Sequence, residues 1–180
     1  MSDQPARGGG QKLPSPVQLS LLDRLIDDAP DRQRDPPVSP GESLEALRRS
    51  VRRDLEALLN AHRRWRSWPD RYKELGLSPI GYGISDFAAG AFNDPQRREK
   101  LRLEIEEAIR RFEPRLAHLS VTLIEPKDEL EAVLRLRIEA MLRAEPAPEP
   151  IAFDTLVDAA NAEVVVKTGA AEFDQTPGGV

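Results

Sequence analysis

Glu113, Pro114 and Arg115 stand in the segment RRFEPRL, a carboxylate and a guanidinium two residues apart across a proline. Three readings fit that triplet. In the first, Glu113 is the general acid of a glycoside hydrolase, which needs two carboxylates roughly 5 to 9.5 Å apart with one held protonated. Asp86, in GISDF, is the partner such chemistry would use. A guanidinium beside Glu113 favours the ionised carboxylate, the opposite of what a general acid needs, and disfavours this reading. In the second, the triplet is a helix stop with a local ion pair, worth little if exposed. In the third, the proline ring stiffens the spacing of two charges that dock on a partner protein. Residue types alone leave the last two open.

Other chemistries find little support. The chain of 180 residues has no cysteine, which excludes disulfides, thiolate nucleophiles and cysteine-ligated metals. The two histidines, His62 and His118, are too isolated to suggest a metal site. Net charge is -5, so nothing favours nucleic acid or an anionic membrane. Arg48, Arg49, Arg52 and Arg53 form a basic run, but Glu42, Glu45, Asp54 and Glu56 interleave with it and predict a solvated, ion-paired face. GYG at 81–83 lacks the flanking Lys-Ser/Thr of a phosphate loop, and its glycines read as turn formers. No cofactor is expected. The N-terminus lacks the apolar core of a signal peptide, and no apolar run is long enough to span a bilayer. The expectation is a soluble cytoplasmic protein without direct membrane insertion.

The elements that would position these residues follow from spacing. Residues 1–16 read as a disordered tail. In 17–28, Leu21, Leu22, Leu25 and Ile26 share one face of a short docking helix with Ser20 as cap. A proline-rich linker covers 29–41. Ser39-Pro40-Gly41-Glu42 is a capping box, and Leu44, Leu47, Val51, Leu55 and Leu58 form the stripe of a first long helix. Residues 65–90 read as a packed loop with a short helical turn near 85–89. Asp94-Pro95 opens a second long helix with a stripe at Leu101, Ile105, Ile109 and Phe112. Pro114 must release the chain at Glu113. Four strands follow: 117–126, the alternating VLRLRIEA, IAFDTLVD and AEVVVK. The predicted fold is α+β: two long helices on a roughly four-stranded, mainly antiparallel sheet, with a single domain over 42–167 and a frayed tail over 168–180. Val164, Val165 and Val166 do not alternate with polar residues, which predicts cover on both faces. No strand follows them, so they sit either at an edge open to strand addition or inside the sheet.

Taken in order, SLLDRLIDD, SVRRDLEALLN, GYGISDF, RFEPRL and IAFDTLVD resemble the TssE family, baseplate wedge subunits of the bacterial type VI secretion system. That family is similar to a tailed-phage wedge protein and once carried a lysozyme-like label. The resemblance spans roughly residues 19–158, and Glu-Pro-Arg closing the second helix is its most distinctive part. It implies a structural role joining the wedge to the contractile sheath and helping sheath assembly start. The implied partners are wedge subunits of the TssF, TssG and TssK types, held through Glu113, Pro114 and Arg115, and sheath subunits pairing with a strand edge. A small adaptor that binds a regulator is the remaining alternative class. On this reading, truncating Glu113 or Arg115 leaves the isolated chain folded and weakens assembly.

Overall fold

Ser39 opens the first long helix by reciprocal capping. Its hydroxyl accepts from the Glu42 amide at 3.2 Å, and the Glu42 carboxylate accepts from the Ser39 amide at 2.9 Å, with Pro40 in the first turn. The Ser39 amide holds the Glu42 carboxyl below its ordinary value. The computed structural model describes residues 21–26, 30–31, 39–63, 69–85, 94–124, 133–145, 147–158, 161 and 163–170. The expected tail at 1–16, the Ser20 cap, most of the 29–41 linker, Asp86 with the turn near 85–89 beyond Ser85, and the tail past Ala170 lie outside them.

In chain order the elements are α1 (Leu21–Leu25), α2 (Pro40–Asn60), β1 (His62–Arg63), two 3-10 stretches (Asp70–Leu77 and Pro79–Gly81), β2 (Ile84–Ser85), α3 (Pro95–Phe112), β3 (Leu116–Ile124), β4 (Val133–Leu142), β5 (Glu149–Asp158) and β6 (Glu163–Gly169). β1 and β2 pair parallel. The other four strands form one sheet in the order β3-β4-β5-β6, and every neighbouring pair is antiparallel. The fold is α+β.

Burial follows the patterns that built the elements. On β4, Leu134, Leu136, Ile138, Ala140 and Leu142 are buried while the residues between them are half-buried. Leu47, Val51, Leu55, Leu58 and Leu59 of α2 and Leu101, Ile105 and Ile109 of α3 join them in one apolar cluster. Two features depart from simple alternation. On β3, Leu116 and Val121 are both buried although five residues apart. A bulge between Ala117 and Ser120, with His118 at φ 50, inserts the extra residue that turns both side chains inward. On β6 the expectation of cover on both faces is corrected: Val164 and Val166 are buried and Val165 is half-buried. The alternation along β6 puts Val164 and Val166 on the core face and Val165 and the exposed Lys167 on the other. The strand also runs on to Gly169, past the expected end at 167.

The glycines of GYG sit where backbone segments nearly touch. A Cβ on Gly83, at φ +101, would lie 2.0 Å from the Ala61 carbonyl oxygen, and one on Gly81 2.4 Å from the Gly76 carbonyl oxygen. Only residues without a Cβ fit both approaches.

Candidate functional site

The end of α3 is built from backbone outward. The last helical hydrogen bond runs from the Glu113 amide to the Ile109 carbonyl at 2.8 Å. Pro114 has no N–H to offer the next one. The Glu113 carbonyl then accepts from the Leu116 amide at 3.2 Å, which turns the chain into β3. The Arg115 carbonyl accepts from the Arg143 amide at 2.8 Å and anchors the turn beside the end of β4. Arg110 and Arg111 lie in the last turn, where cations suit the negative end of the helix dipole.

The side chains go opposite ways. Pro114 is exposed, Arg115 half-buried and the Glu113 side chain only 5% exposed. Arg115 grips the Glu113 carboxylate with its fork: Nε donates to Oε1 at 2.6 Å and Nη2 to Oε2. Nη2 also donates to Asp54 Oδ2 at 2.6 Å, and Nη1 to Ser50 Oγ at 3.2 Å. Asp54 and Ser50 come from α2, so the triplet is bolted to a helix some sixty residues away in sequence. The cluster continues through Arg53, whose Nε donates to Asp54 Oδ1 at 3.2 Å and whose Nη1 donates to Asp23 Oδ1 of α1 at 2.9 Å. Acid and base alternate from Glu113 through Arg115, Asp54 and Arg53 to Asp23. The pairing with Glu113, helped by Asp54, fixes Arg115 further in its charged form, against the opposing effect of burial. Tyr82, from GYG, packs edge-on against Phe112 at 5.3 Å. Burial pushes its phenol up, and the charges of Asp54 and Glu113 push it the same way.

This arrangement grips: both Glu113 oxygens are engaged by the Arg115 guanidinium. Among the described residues no group of three or more His, Cys, Asp or Glu side chains could hold a metal ion, and no helix is long and apolar enough to cross a membrane.

The other residues singled out in the sequence are placed as follows. Leu21, Leu22, Leu25 and Ile26 are all exposed, Leu25 to 82%, and α1 reaches the charge cluster through Asp23. Val164 and Val166 face the core at a sheet edge, but α2 reaches that edge. Asn60 Nδ2 donates to the Val164 carbonyl at 2.8 Å while its Oδ1 accepts from the Val164 amide at 2.9 Å. Glu56 Oε1 accepts from the Val166 amide and Arg52 Nη1 donates to the Val166 carbonyl, each at 3.3 Å. Sequence reasoning missed this cover and placed Arg52 on a merely solvated face. It also missed Glu104 of α3, whose Oε1 accepts from Arg63 Nη2 at 3.0 Å, from the Ser85 amide at 2.7 Å and from the Ser85 hydroxyl. One carboxylate thus ties β1 and β2 to α3. An i, i+4 spacing of polar residues along α2 (Arg52, Glu56, Asn60) was the available signal for the edge cover; Glu104 carried none.

The family model of baseplate wedge protein gp25 matches residues 45–147, more than half of the chain, from Glu45 of α2 through Ala147 beyond the end of β4. The match contains Ser50, Asp54 and the 113–115 turn; β5 and β6 lie beyond it. No curated protein matches the chain. With its α+β fold and a helix end built as a fixed charge clamp, the chain belongs to the baseplate wedge protein gp25 family, a structural family that includes TssE.

Proposed function

We propose that this chain is a TssE-type wedge subunit of a type VI secretion baseplate, working in the cytoplasm to link the wedge core to the contractile sheath and to help sheath assembly start. The observation that carries the proposal is the clamp at 113–115: a forced helix end whose charges are held rigid from α2, in a family of baseplate proteins. A rigid charged corner with an exposed proline is a good surface for a partner, because ordering it costs no further entropy on binding. Glu113, Pro114 and Arg115 meet the wedge core of TssF-, TssG- and TssK-type subunits. Leu21, Leu22, Leu25 and Ile26, exposed and tethered beside that corner, extend the same contact. The β6 strand around Val164, Val165 and Val166 faces the sheath. The division into a tail, a docking helix at 17–28, a linker at 29–41 and a wedge domain at 42–167 belongs to this reading.

Arg115→Lys keeps the charge and removes the fork. We expect the tagged chain, purified from cells with an intact secretion cluster, to bring down baseplate and sheath subunits, and the Arg115→Lys variant to lose the wedge subunits while its circular dichroism is unchanged. Recovery of a single regulator in place of baseplate subunits would overturn the proposal in favour of an adaptor.

A further inference from the structure

The turn that joins the two 3-10 stretches is patterned inside out. Gly76, Gly81 and Gly83 are buried, while Leu77, Ile80 and Tyr82 are exposed, Leu77 to 64%. A sequence that served only its own core would turn the large apolar side chains inward. The glycines are inside because backbone meets backbone there: position 81 lies against the Gly76 carbonyl. That approach brings Leu77 close to Ile80 and Tyr82 and leaves all three on the outside.

The turn is also fixed in place. The Ser78 hydroxyl donates to the Leu75 carbonyl at 2.8 Å and accepts from the Ile80 amide at 3.2 Å, and the Ser78 carbonyl accepts from the Gly81 amide at 2.9 Å. Beyond the turn, the Ile84 amide donates to the Ala61 carbonyl at 3.0 Å, and Ile84 is fully buried. Glu104 then holds Ser85 to α3. One exposed leucine on a soluble protein needs no explanation. Three large apolar side chains on one fixed turn, over buried glycines, form a surface.

The position of that surface indicates its occupant. Tyr82 packs against Phe112, the residue before Glu113, and its phenol lies in the field of Asp54 and Glu113. The turn therefore adjoins the clamp that the proposed function sets against the wedge core. Each charge of the clamp is answered within the chain, Glu113 by Arg115, and Asp54 by Arg115 and Arg53. A partner offering only charge would compete with those pairs. A partner offering apolar area gains by covering Leu77 and Ile80.

We propose that the turn at 77–82 is a second docking surface, which takes an apolar surface of the wedge subunit that meets the 113–115 corner. This deepens the proposed function and rests on it. The clamp sets the position of the partner, and the turn supplies apolar area to bury. Because the turn is already held by its own hydrogen bonds, little ordering is left to oppose binding.

The test uses the tagged full chain in cells with an intact secretion cluster. Leu77→Ser combined with Ile80→Ser is expected to lower recovery of wedge subunits about tenfold or more, with melting temperature unchanged. Leu103→Ser, at an exposed leucine on α3, is the control and is expected to leave recovery as it was. A photo-crosslinking benzoylphenylalanine in place of Leu77 is expected to link to a wedge subunit, and the same group in place of Leu103 is not. Full recovery by the double variant, an equal loss from Leu103→Ser, or a link from position 77 to a second copy of this chain overturns the inference while wild-type recovery keeps the proposed function standing. A melting temperature that falls in step with recovery would make the turn part of the core and overturn it too. Recovery of no baseplate subunit by the wild-type chain overturns the proposed function, and this surface with it.

Discussion

The helix end at 113–115 and the short helix α1 invert the usual distribution of residue types. At the first, a carboxylate is buried and gripped by a guanidinium; at the second, four large aliphatic residues stand in solvent, Leu21 at 75% exposure. Each is the informative kind of exception: a buried charge and an exposed apolar patch. One salt-bridge path, Arg115 to Asp54 to Arg53 to Asp23, joins them. The difference between them is where their energy goes. The buried clamp has its partners inside the chain, so part of what it contributes is fold stability. The exposed leucines contribute little to the isolated chain, and on the proposed reading their burial is left for a partner.

The largest effect expected from breaking this contrast is at Glu113. Sequence alone suggested that truncating it would leave the isolated chain folded. The structure adds a stability cost, because Glu113→Ala leaves Arg115 half-buried without its bidentate partner. Loss of about 3 kcal/mol is expected, which lowers the melting temperature by roughly 6–12 °C and leaves a folded chain at 25 °C. A melt within a degree or two of wild type would show that the clamp is fully solvated and only an interface feature.

Thr155 offers the converse. It is 1% exposed on the core face of β5, and its hydroxyl has no hydrogen-bond partner. A buried polar group without a partner is a net loss to the fold. Thr155→Val is expected to raise stability by about 1 kcal/mol, read from the midpoint of chemical unfolding at unchanged slope. A loss of stability would mean that the hydroxyl has a water or protein partner, and that unsatisfied polar burial is not what separates Thr155 from Glu113.

The two regions also differ in how far the sequence revealed them. Spacing and caps placed α2, α3 and all four long strands, because Ser39-Pro40, Asp94-Pro95, Pro114 and the alternation of β4 act locally. The break at Glu113 was legible for the same reason. Its partners were not. Ser50 and Asp54 meet Arg115 only because α2 crosses the end of α3, and no local rule pairs residues sixty apart. The α2 cover on β6 was hidden likewise: Asn60 and Val164 are more than a hundred residues apart. The valine run was misread because period alone does not say which side of a sheet is bare. The β3 bulge at His118 left no mark, since the residue there is not glycine.

Deleting residues 1–28 tests the α1 side. The exposed apolar face buries little in the chain, and the Arg53–Asp23 pair, with Arg53 largely exposed, is worth under about 1 kcal/mol. The melting temperature is expected to move only slightly while recovery of wedge subunits from cells falls much further. A drop in melting temperature matching the loss of binding would make α1 part of the core, and the contrast with the clamp would disappear.

The smallest effect lies at Tyr82, which senses the clamp without belonging to it. Burial, then Asp54, then Glu113 raise its phenol above the ordinary value. Folding therefore favours the neutral phenol. The stability this provides is fully present below the ordinary tyrosine value of about 10 and is lost as pH rises through the raised one. Tyr82→Phe keeps the edge-on contact with Phe112 and cannot ionise. It is expected to match wild type at neutral pH and to hold its stability further into the alkaline range. Asp54→Asn and Glu113→Gln should each bring the Tyr82 ionisation, followed by tyrosinate absorbance, back towards the ordinary value. The larger return is expected from Asp54→Asn, because Asp54 outranks Glu113 among the causes. An unchanged titration in both variants would mean that burial alone sets the shift, and that the clamp's field is confined to the residues it touches.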